Sequence, residues 1–332
     1  MTSTAQKFQW SGVMPAITTP LKPSGDVDIT AAIRHACWMI DEGCNGIVIG
    51  GSLGEGQSLT TEEKIELWRG VSAALLGRAP VIAAIGSAST LEACLLAQYA
   101  ANAGCSGLMV LPPYVHSGDE REAIAHIESV ARATNLPVMV YNNPQAYRAD
   151  FSAASLAAMA MRQANIRAVK DSTGDVRRIA QLVQLVRSGD APSDLTVFVG
   201  LDDVVPSGVG AGAKGWIAGL ANALPAASVA LWKLAVAAQT DLKIASIRVA
   251  EVDRAFLPLL RMDTVPDFVQ RIKLVQAFVG RGDERVRAPR LALETDVREA
   301  CITIARNAIE QLDRLGIPTR SESLRKSQSS KQ

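Results

Sequence analysis

The residue of this chain best placed to do chemistry on its own is a lysine that ends an apolar run. Lys170 closes Ile166-Arg167-Ala168-Val169-Lys170, a stretch with strand character. Were such a strand to line the inside of a barrel, the amine would sit in an apolar cavity. Desolvation would then disfavour the ammonium, pull its pKa down from a reference of about 10.4, and free the amine to attack a carbonyl. The competing reading is a strand-end lysine that reaches solvent or pairs with Asp171. Lys214 is a useful contrast, because it borders a strand at the start, the end of a barrel associated with stability rather than catalysis.

Further candidates fall at the ends of similar runs. Gly50-Gly51-Ser52-Leu53-Gly54-Glu55-Gly56 supplies a turn whose backbone N–H groups could converge on an anion such as a carboxylate, and it could equally be a tight connecting loop. Tyr141 heads Tyr141-Asn142-Asn143-Pro144 and Tyr114 follows Leu111-Pro112-Pro113; each is a phenol able to move protons or simply to pack. Other patterns carry less. Gly210-Ala211-Gly212-Ala213-Lys214-Gly215 matches G-x-G-x-x-G, but it runs from helix to strand, whereas a dinucleotide fingerprint runs from strand to helix. His35, His116 and His126 lack metal-ligand spacing, so surface or helix-face roles are expected. Asp202-Asp203 reads as a helix N-cap with first-turn charge, with cation binding as the alternative.

These side chains need elements to hold them. Eight short, nearly continuous apolar runs fall at residues 13–18, 46–49, 81–85, 107–111, 138–141, 166–169, 195–199 and 215–218, the pattern of strands buried on both faces. Between them apolar residues recur every three or four positions, as in Ile29, Ile33, Cys37, Ile40 and in Ile65, Trp68, Val71, Leu75, which is the period of crossover helices. Helix starts are signalled by Thr60 and Thr61 before Glu62 and Glu63, and by Ser117 and Asp119 before Glu120. Eight βα units fit an open doubly wound sheet or a closed barrel, and the count with the length favours an α/β (β/α)8 TIM barrel. The expected divisions are the catalytic barrel at 8–224, a barrel-closing helix with a C-terminal all-helical extension at 225–319, and a disordered polar tail at 320–332. Pro258 and Pro266 are expected to punctuate the extension, and the apolar stretch 223–240 to form a buried helix.

Composition narrows the function. The chain has 332 residues, 48% hydrophobic and 20% charged, with Lys+Arg 34 against Asp+Glu 33 for a net charge of +1. Aromatic residues make up 5%. Neither a basic balance nor stacking platforms favour nucleic acid as a partner. No apolar run of membrane-spanning or signal-peptide length occurs, so no membrane association and a cytoplasmic location are expected. Cys37, Cys44, Cys94, Cys105 and Cys301 are odd in number with no C-x-x-C pair, as reduced core thiols would be.

Together these residues resemble the dihydrodipicolinate synthase and N-acetylneuraminate lyase superfamily from Gly12 to about Asn222. Gly12-Val13-Met14-Pro15-Ala16-Ile17-Thr18-Thr19-Pro20 is similar to that family's opening strand. Gly51-Ser52-Leu53-Gly54-Glu55 is similar to its G-[ST]-x-G-E loop, Tyr141-Asn142-Asn143-Pro144 to its Y-N-x-P, and Val169-Lys170-Asp171-Ser172-Thr173-Gly174-Asp175 to its Schiff-base lysine segment. The resemblance implies a class I lyase in which Lys170 forms an imine with pyruvate or another 2-oxo acid, with no metal or organic cofactor. It implies that Tyr141 moves protons with the aid of Ser52 and of Tyr114, the last reaching in from a neighbouring subunit of a homo-oligomer, a tetramer in the family. The N–H groups of Ser52 and Leu53 would hold the 2-oxo acid's carboxylate, and Ile217 would pack near its methyl group.

Two positions depart from dihydrodipicolinate synthases proper. Leu53 replaces a second threonine, and Ala146 stands where an arginine binds the aldehyde substrate's carboxylate; Arg148, two positions later, is the alternative anion contact. The run Tyr141-Asn142-Asn143-Pro144-Gln145-Ala146-Tyr147-Arg148-Ala149-Asp150-Phe151 is instead similar to the Y-x-N-P-x-A-[FY]-[KR]-x-D-F stretch of hydratase-aldolases acting on aromatic pyruvate adducts. The expected function is therefore a Schiff-base lyase or aldolase joining a pyruvate unit to an aldehyde-type partner. The alternatives are dihydrodipicolinate synthase proper, a dehydratase or deaminase using the same imine, a catalytically idle barrel that binds a small carboxylate, and a nicotinamide enzyme working through Gly210 to Gly215.

Overall fold

Each of the eight apolar runs becomes a strand because it can be covered on both faces, by helices outside and by the other strands' side chains inside. The strands are β1 (Gly12–Pro15), β2 (Ile47–Ile49), β3 (Val81–Ile85), β4 (Gly107–Val110), β5 (Val138–Asn142), β6 (Ile166–Asp171), β7 (Thr196–Val199) and β8 (Gly215–Ala218). The computed structural model describes residues 9–116, 118–240 and 244–319; Ser117, the start of the chain with Lys7, and the tail 320–332 lie outside the described residues.

All seven strand pairings are parallel, and the order β1-β8-β7-β6-β5-β4-β3-β2 leaves β1 and β2 to meet. They do so just past β1, where Ala16 bridges Val48 in parallel and Ile17 N–H donates to the Val48 carbonyl at 2.9 Å. This closure makes the sheet a (β/α)8 barrel rather than the open alternative. Alternation along each strand separates two cores. Val140, Val169, Val197 and Val199 pack outward against the helices, while Met14, Val48, Ile82, Met109, Met139, Ala168, Phe198 and Ile217 fill the inside.

The crossover helices begin as their first residues dictate. Thr60 caps Thr61–Ala74 in a capping box with Glu63, and Asp119 caps Glu120–Arg132 in one with Glu122. A buried amide then latches the end of the barrel to its beginning. Asn222, just past β8, donates from Nδ2 to the carbonyls of Ala16 at 2.8 Å and Gly219 at 2.7 Å. Its Oδ1 accepts from Thr18 N–H at 3.0 Å and contacts His35 Nε2 at 3.1 Å.

After the expected buried helix, Pro225–Ala237, the chain is helical through Ile244–Leu260, Phe268–Phe278 and Thr295–Arg314. Pro258 does not end its helix. It sits in the last turn of Ile244–Leu260, where it removes one N–H from the hydrogen-bond ladder just before the chain tightens into the 3-10 turn Arg261–Thr264. Pro266 falls between that turn and Phe268–Phe278, as expected.

Candidate functional site

Lys170 faces the barrel interior because Ala168, two residues before it, does. It pairs in register with Tyr141 on one side and Phe198 on the other. The side chain is 7% exposed, and Nζ stands 4.0 Å from the centroid of the Tyr141 ring. Among the described residues it forms no hydrogen bond or ion pair. Asp171, the alternative partner, points the other way: its carboxylate takes Thr173 Oγ1–H at 2.6 Å and Asn142 Nδ2–H at 3.3 Å. Space beside the lysine is kept by Gly200, where a Cβ would stand 2.9 Å from Lys170 Cε and closer still to the buried, unpartnered Ser172 hydroxyl.

The loop after β2 is held from several sides. Thr19 Oγ1 donates to the Gly54 carbonyl at 2.6 Å, and a side chain at Gly56 would stand 1.8 Å from the Gly50 carbonyl oxygen, so the turn cannot open around one. Glu55 adopts φ 55°, a left-handed conformation that costs a non-glycine residue about 1–3 kcal/mol. The carboxylate so placed enters a buried ion pair: Lys273 Nζ lies 2.5 Å from Glu55 Oε1, with side chains 2% and 1% exposed. Arg287 N–H reaches Glu55 Oε2 at 2.8 Å, and the Arg287 guanidinium clasps Glu63 at 2.6 and 2.8 Å. Burial lowers the Lys273 pKa, opposed by Glu55, while the Arg287 guanidinium lowers that of Glu63. Leu53 and Ile217 are both buried in the interior cluster that contains Tyr141.

The hydroxyls fall into two separate hydrogen-bonded groups. Ser52 Oγ hydrogen-bonds the phenol of Tyr147, not that of Tyr141, and Gln57 Nε2 donates to the same phenol at 3.4 Å. Tyr141 Oη instead accepts from Asn143 Nδ2 at 2.9 Å. Tyr147 lies between two other rings, 5.7 Å from Tyr141 and 6.4 Å from Tyr114. Tyr114 thus meets the cluster within its own chain, by its ring. Burial raises the pKa of Tyr114, with Glu92 adding to it, and burial followed by Tyr141 raises that of Tyr147. Sequence reasoning quoted Tyr147 without a role. The signal available was spacing: Pro144 opens a helix of one turn, Pro144–Tyr147, whose N-cap Asn143 turns its last residue back over the barrel mouth. Arg148 and Ala146 are exposed, and Arg148 opens onto a shallow cleft with Pro113, His116 and Asp119.

Asp202 corrects an expectation. Rather than capping the helix that follows, its fully buried carboxylate accepts from Trp216 Nε1 at 2.9 Å, Gly219 N–H at 3.0 Å and Leu220 N–H at 2.7 Å, so it organises the turn after β8. Burial pushes its pKa up to about 6, with these hydrogen bonds and Lys170 opposing. His35 and His126 are buried on the helices Ile29–Asp41 and Glu120–Arg132, the helix-face alternative, and His116 pairs with Glu122 at the surface. Among the described residues no cluster of three or more His, Cys, Asp or Glu could hold a metal ion, and no helix is long and apolar enough to cross a membrane.

The model of the dihydrodipicolinate synthetase family matches residues 9–308. A 4-hydroxy-tetrahydrodipicolinate synthase of Agrobacterium fabrum is 32% identical over 300 residues, 89% of this chain and 97% of the relative. One from Moorella thermoacetica is 34% identical over 215 residues, 65% of this chain and 72% of the relative. Among solved structures, the 4-hydroxy-tetrahydrodipicolinate synthase of Methylacidiphilum fumariolicum SolV superposes with a TM-score of 0.85 at 26% identity, covering 93% of this chain and 99% of that one. YagE, a prophage protein of the family from E. coli K12 solved in complex with pyruvate, gives 0.81 at 26% identity over 93% and 99%. With the expected fold and Schiff-base lyase class so supported, this chain belongs to the dihydrodipicolinate synthetase family.

Proposed function

We propose that Lys170 condenses with the keto group of pyruvate or a related 2-oxo acid, and that the enamine so formed makes, or in reverse releases, a carbon–carbon bond to an aldehyde-type partner. The observation that carries this reading is the buried, unpaired Lys170 amine beside Tyr141 at the carboxyl ends of the strands. The neutral amine adds to C2, the carbinolamine loses water, and the protonated imine withdraws the electron pair of a C3–H bond. The enamine carbon then attacks the partner's carbonyl carbon, and water releases the product from Nζ. Ser52 and Leu53 hold the 2-oxo acid's carboxylate through the loop after β2, Ile217 packs near its methyl group, and Tyr141 and Tyr114 serve proton transfer. The imine is itself the electron sink, so the reaction calls for no added cofactor. YagE, a protein of similar fold, was solved with pyruvate, which supports the first substrate.

For the second substrate we favour a neutral aromatic aldehyde over aspartate semialdehyde. Leu53, Tyr141, Tyr147 and Tyr114 build an apolar wall, and Ala146 brings no cation. A carboxylate placed there would be desolvated without a partner, which is costly. We also propose that residues 8–224 form the catalytic unit, supported by 225–319, and that the protein is a cytoplasmic homo-oligomer, a tetramer. The exposed Leu91, Leu95 and Tyr99, spaced four residues apart along Thr90–Asn102, give one helix face that a second copy could cover.

Borohydride added with pyruvate tests the imine. The peptide bearing Lys170 should gain the mass of one reduced pyruvyl group, and Lys170→Met should gain none; an unmodified parent protein would overturn the reading. A panel of aldehydes, aromatic against aliphatic and charged against neutral, tests the partner, and turnover of aspartate semialdehyde ahead of the aromatic aldehydes would overturn that assignment.

A further inference from the structure

Three of the chain's four tyrosines meet at the barrel mouth, yet the one bound to the loop serine is the one for which the sequence suggested no task. Tyr141 has its phenol oxygen engaged by Asn143 and its ring occupied by Lys170. Tyr147, by contrast, joins two hydroxyl-bearing or amide-bearing neighbours in a line. On one side is Ser52, half-buried in the loop after β2; on the other is Gln57, which is exposed. The line therefore runs from the interior of the site to solvent and crosses the buried ring layer at a single phenol.

We propose that Tyr147 is a further proton-relay residue of this site, beside Tyr141 and Tyr114, passing protons between Ser52 and solvent on the exposed Gln57 side. The proposal rests on the imine reading above. On enamine formation the C3–H bond of the protonated imine breaks, and its electron pair becomes the C2–C3 double bond as the nitrogen loses its positive charge. The proton goes to Ser52 Oγ while the serine's own proton passes to Tyr147 Oη, and the phenol's proton passes to a water molecule at the rim. Each hydroxyl gives one proton and takes one, so both end as they began and one proton has left the site. Run in reverse, the same line protonates C3. Burial keeps the Tyr147 phenol protonated, so it must give and take together and does not accumulate as phenolate.

Two features favour a relay over simple packing. A phenylalanine would fill the same space between the Tyr114 and Tyr141 rings, and the hydratase-aldolase-like stretch accommodates either residue; the hydroxyl adds a polar group to a site 6% exposed, which is costly unless it is bonded. It is bonded on two sides, and to groups that differ in their access to water. The Asn143 cap and Arg148, which takes φ 61° to end the short helix, define the backbone from which the Tyr147 ring projects.

Exchange of the pyruvate methyl protons in deuterated water, followed by proton NMR, reads the C3 step without any second substrate. Tyr147→Phe keeps the ring and removes the hydroxyl. It should slow exchange about tenfold or more, in the range typical of losing a positioned proton-transfer group. The KM for pyruvate should stay within about twofold, and borohydride should still trap the Lys170 adduct. Ser52→Ala should slow exchange comparably, and Ser52→Ala/Tyr147→Phe no more than the larger single effect, because two links of one line fail together. Exchange at the parent rate in Tyr147→Phe, or multiplied losses in the double variant, would overturn the relay while leaving the imine intact. Failure to trap the adduct in the parent protein would instead overturn the imine reading on which the relay depends.

Discussion

Lys273 and Glu55, 218 residues apart in sequence, meet as an ion pair 2.5 Å long inside the protein. The first comes from the C-terminal helices and the second from the loop after β2, so the extension holds the loop offered for substrate carboxylate binding. Removing one partner of a buried pair leaves the other charged and desolvated. Lys273→Met should therefore lower stability by about 3–5 kcal/mol. Lys273→Met/Glu55→Gln should lose less than the two single variants summed. Urea denaturation of the four proteins measures both expectations, and additive losses would argue that the pair does not couple the two regions.

His35 should make stability depend on acidity. Burial lowers its pKa from 6.5 to about 4, with the Asn222 hydrogen bond opposing. The unfolded chain thus binds the proton more readily than the folded one, and the contribution is fully present above about pH 6.5 and lost as pH falls through about 4. At about 1.36 kcal/mol per pKa unit the loss amounts to about 3 kcal/mol. In His35→Gln that part of the slope should vanish; denaturation midpoints at pH 7, 5.5 and 4 compare the two, and parallel profiles would count against the assignment.

Asp202 carries the opposite sign over a similar range. Its pKa is raised from 3.8 to about 6, so its favourable contribution is complete below about pH 3.8 and is lost as pH rises through about 6. Asp202→Asn should lose stability relative to the parent protein at low pH and recover part of the difference at pH 7. The recovery is limited, because an amide cannot accept from Trp216, Gly219 and Leu220 as two carboxylate oxygens do. Thermal unfolding at pH 4.5 and 7.5 reads the change in difference; a constant gap would remove the role assigned to ionisation.

Leu53 should set partner preference. Leu53→Thr introduces a hydroxyl into the apolar wall without touching Lys170, so trapping of the pyruvate adduct should persist while kcat/KM for neutral aromatic aldehydes falls about 10-fold or more. One methylene-scale change in an apolar pocket is worth about 1–3 kcal/mol. An unchanged aldehyde profile would place the second substrate elsewhere.

What was legible in the sequence follows from distance along the chain. Lys170, Ser52 and Tyr141 could be read because each lies at or just past a strand end, and strand ends in a barrel converge by geometry. The strands themselves were legible as apolar runs, with ends differing by a few residues, as in β1, which stops at Pro15 where only the single bridge from Ala16 carries on. Tyr147 was not legible, because a one-turn helix gives no periodicity and its position depends on the Asn143 cap and the left-handed Arg148. Nor was the Glu55–Lys273–Arg287 network: nothing in either local stretch requires the other. Asp202 was misread since its partners, Trp216, Gly219 and Leu220, lie 14 to 18 residues onward, across a strand pairing.

The amide of Asn222 has a consequence for how the chain is made. β1 pairs with β8, so ribosomal synthesis must pass residue 218 before the first strand finds its final neighbour, and residue 222 before the amide can tie the two ends together. Until then β1 presents an unsatisfied edge to its surroundings, and a truncated product is exposed to wrong pairing. One side chain thereby reports to the whole molecule that the ring is complete.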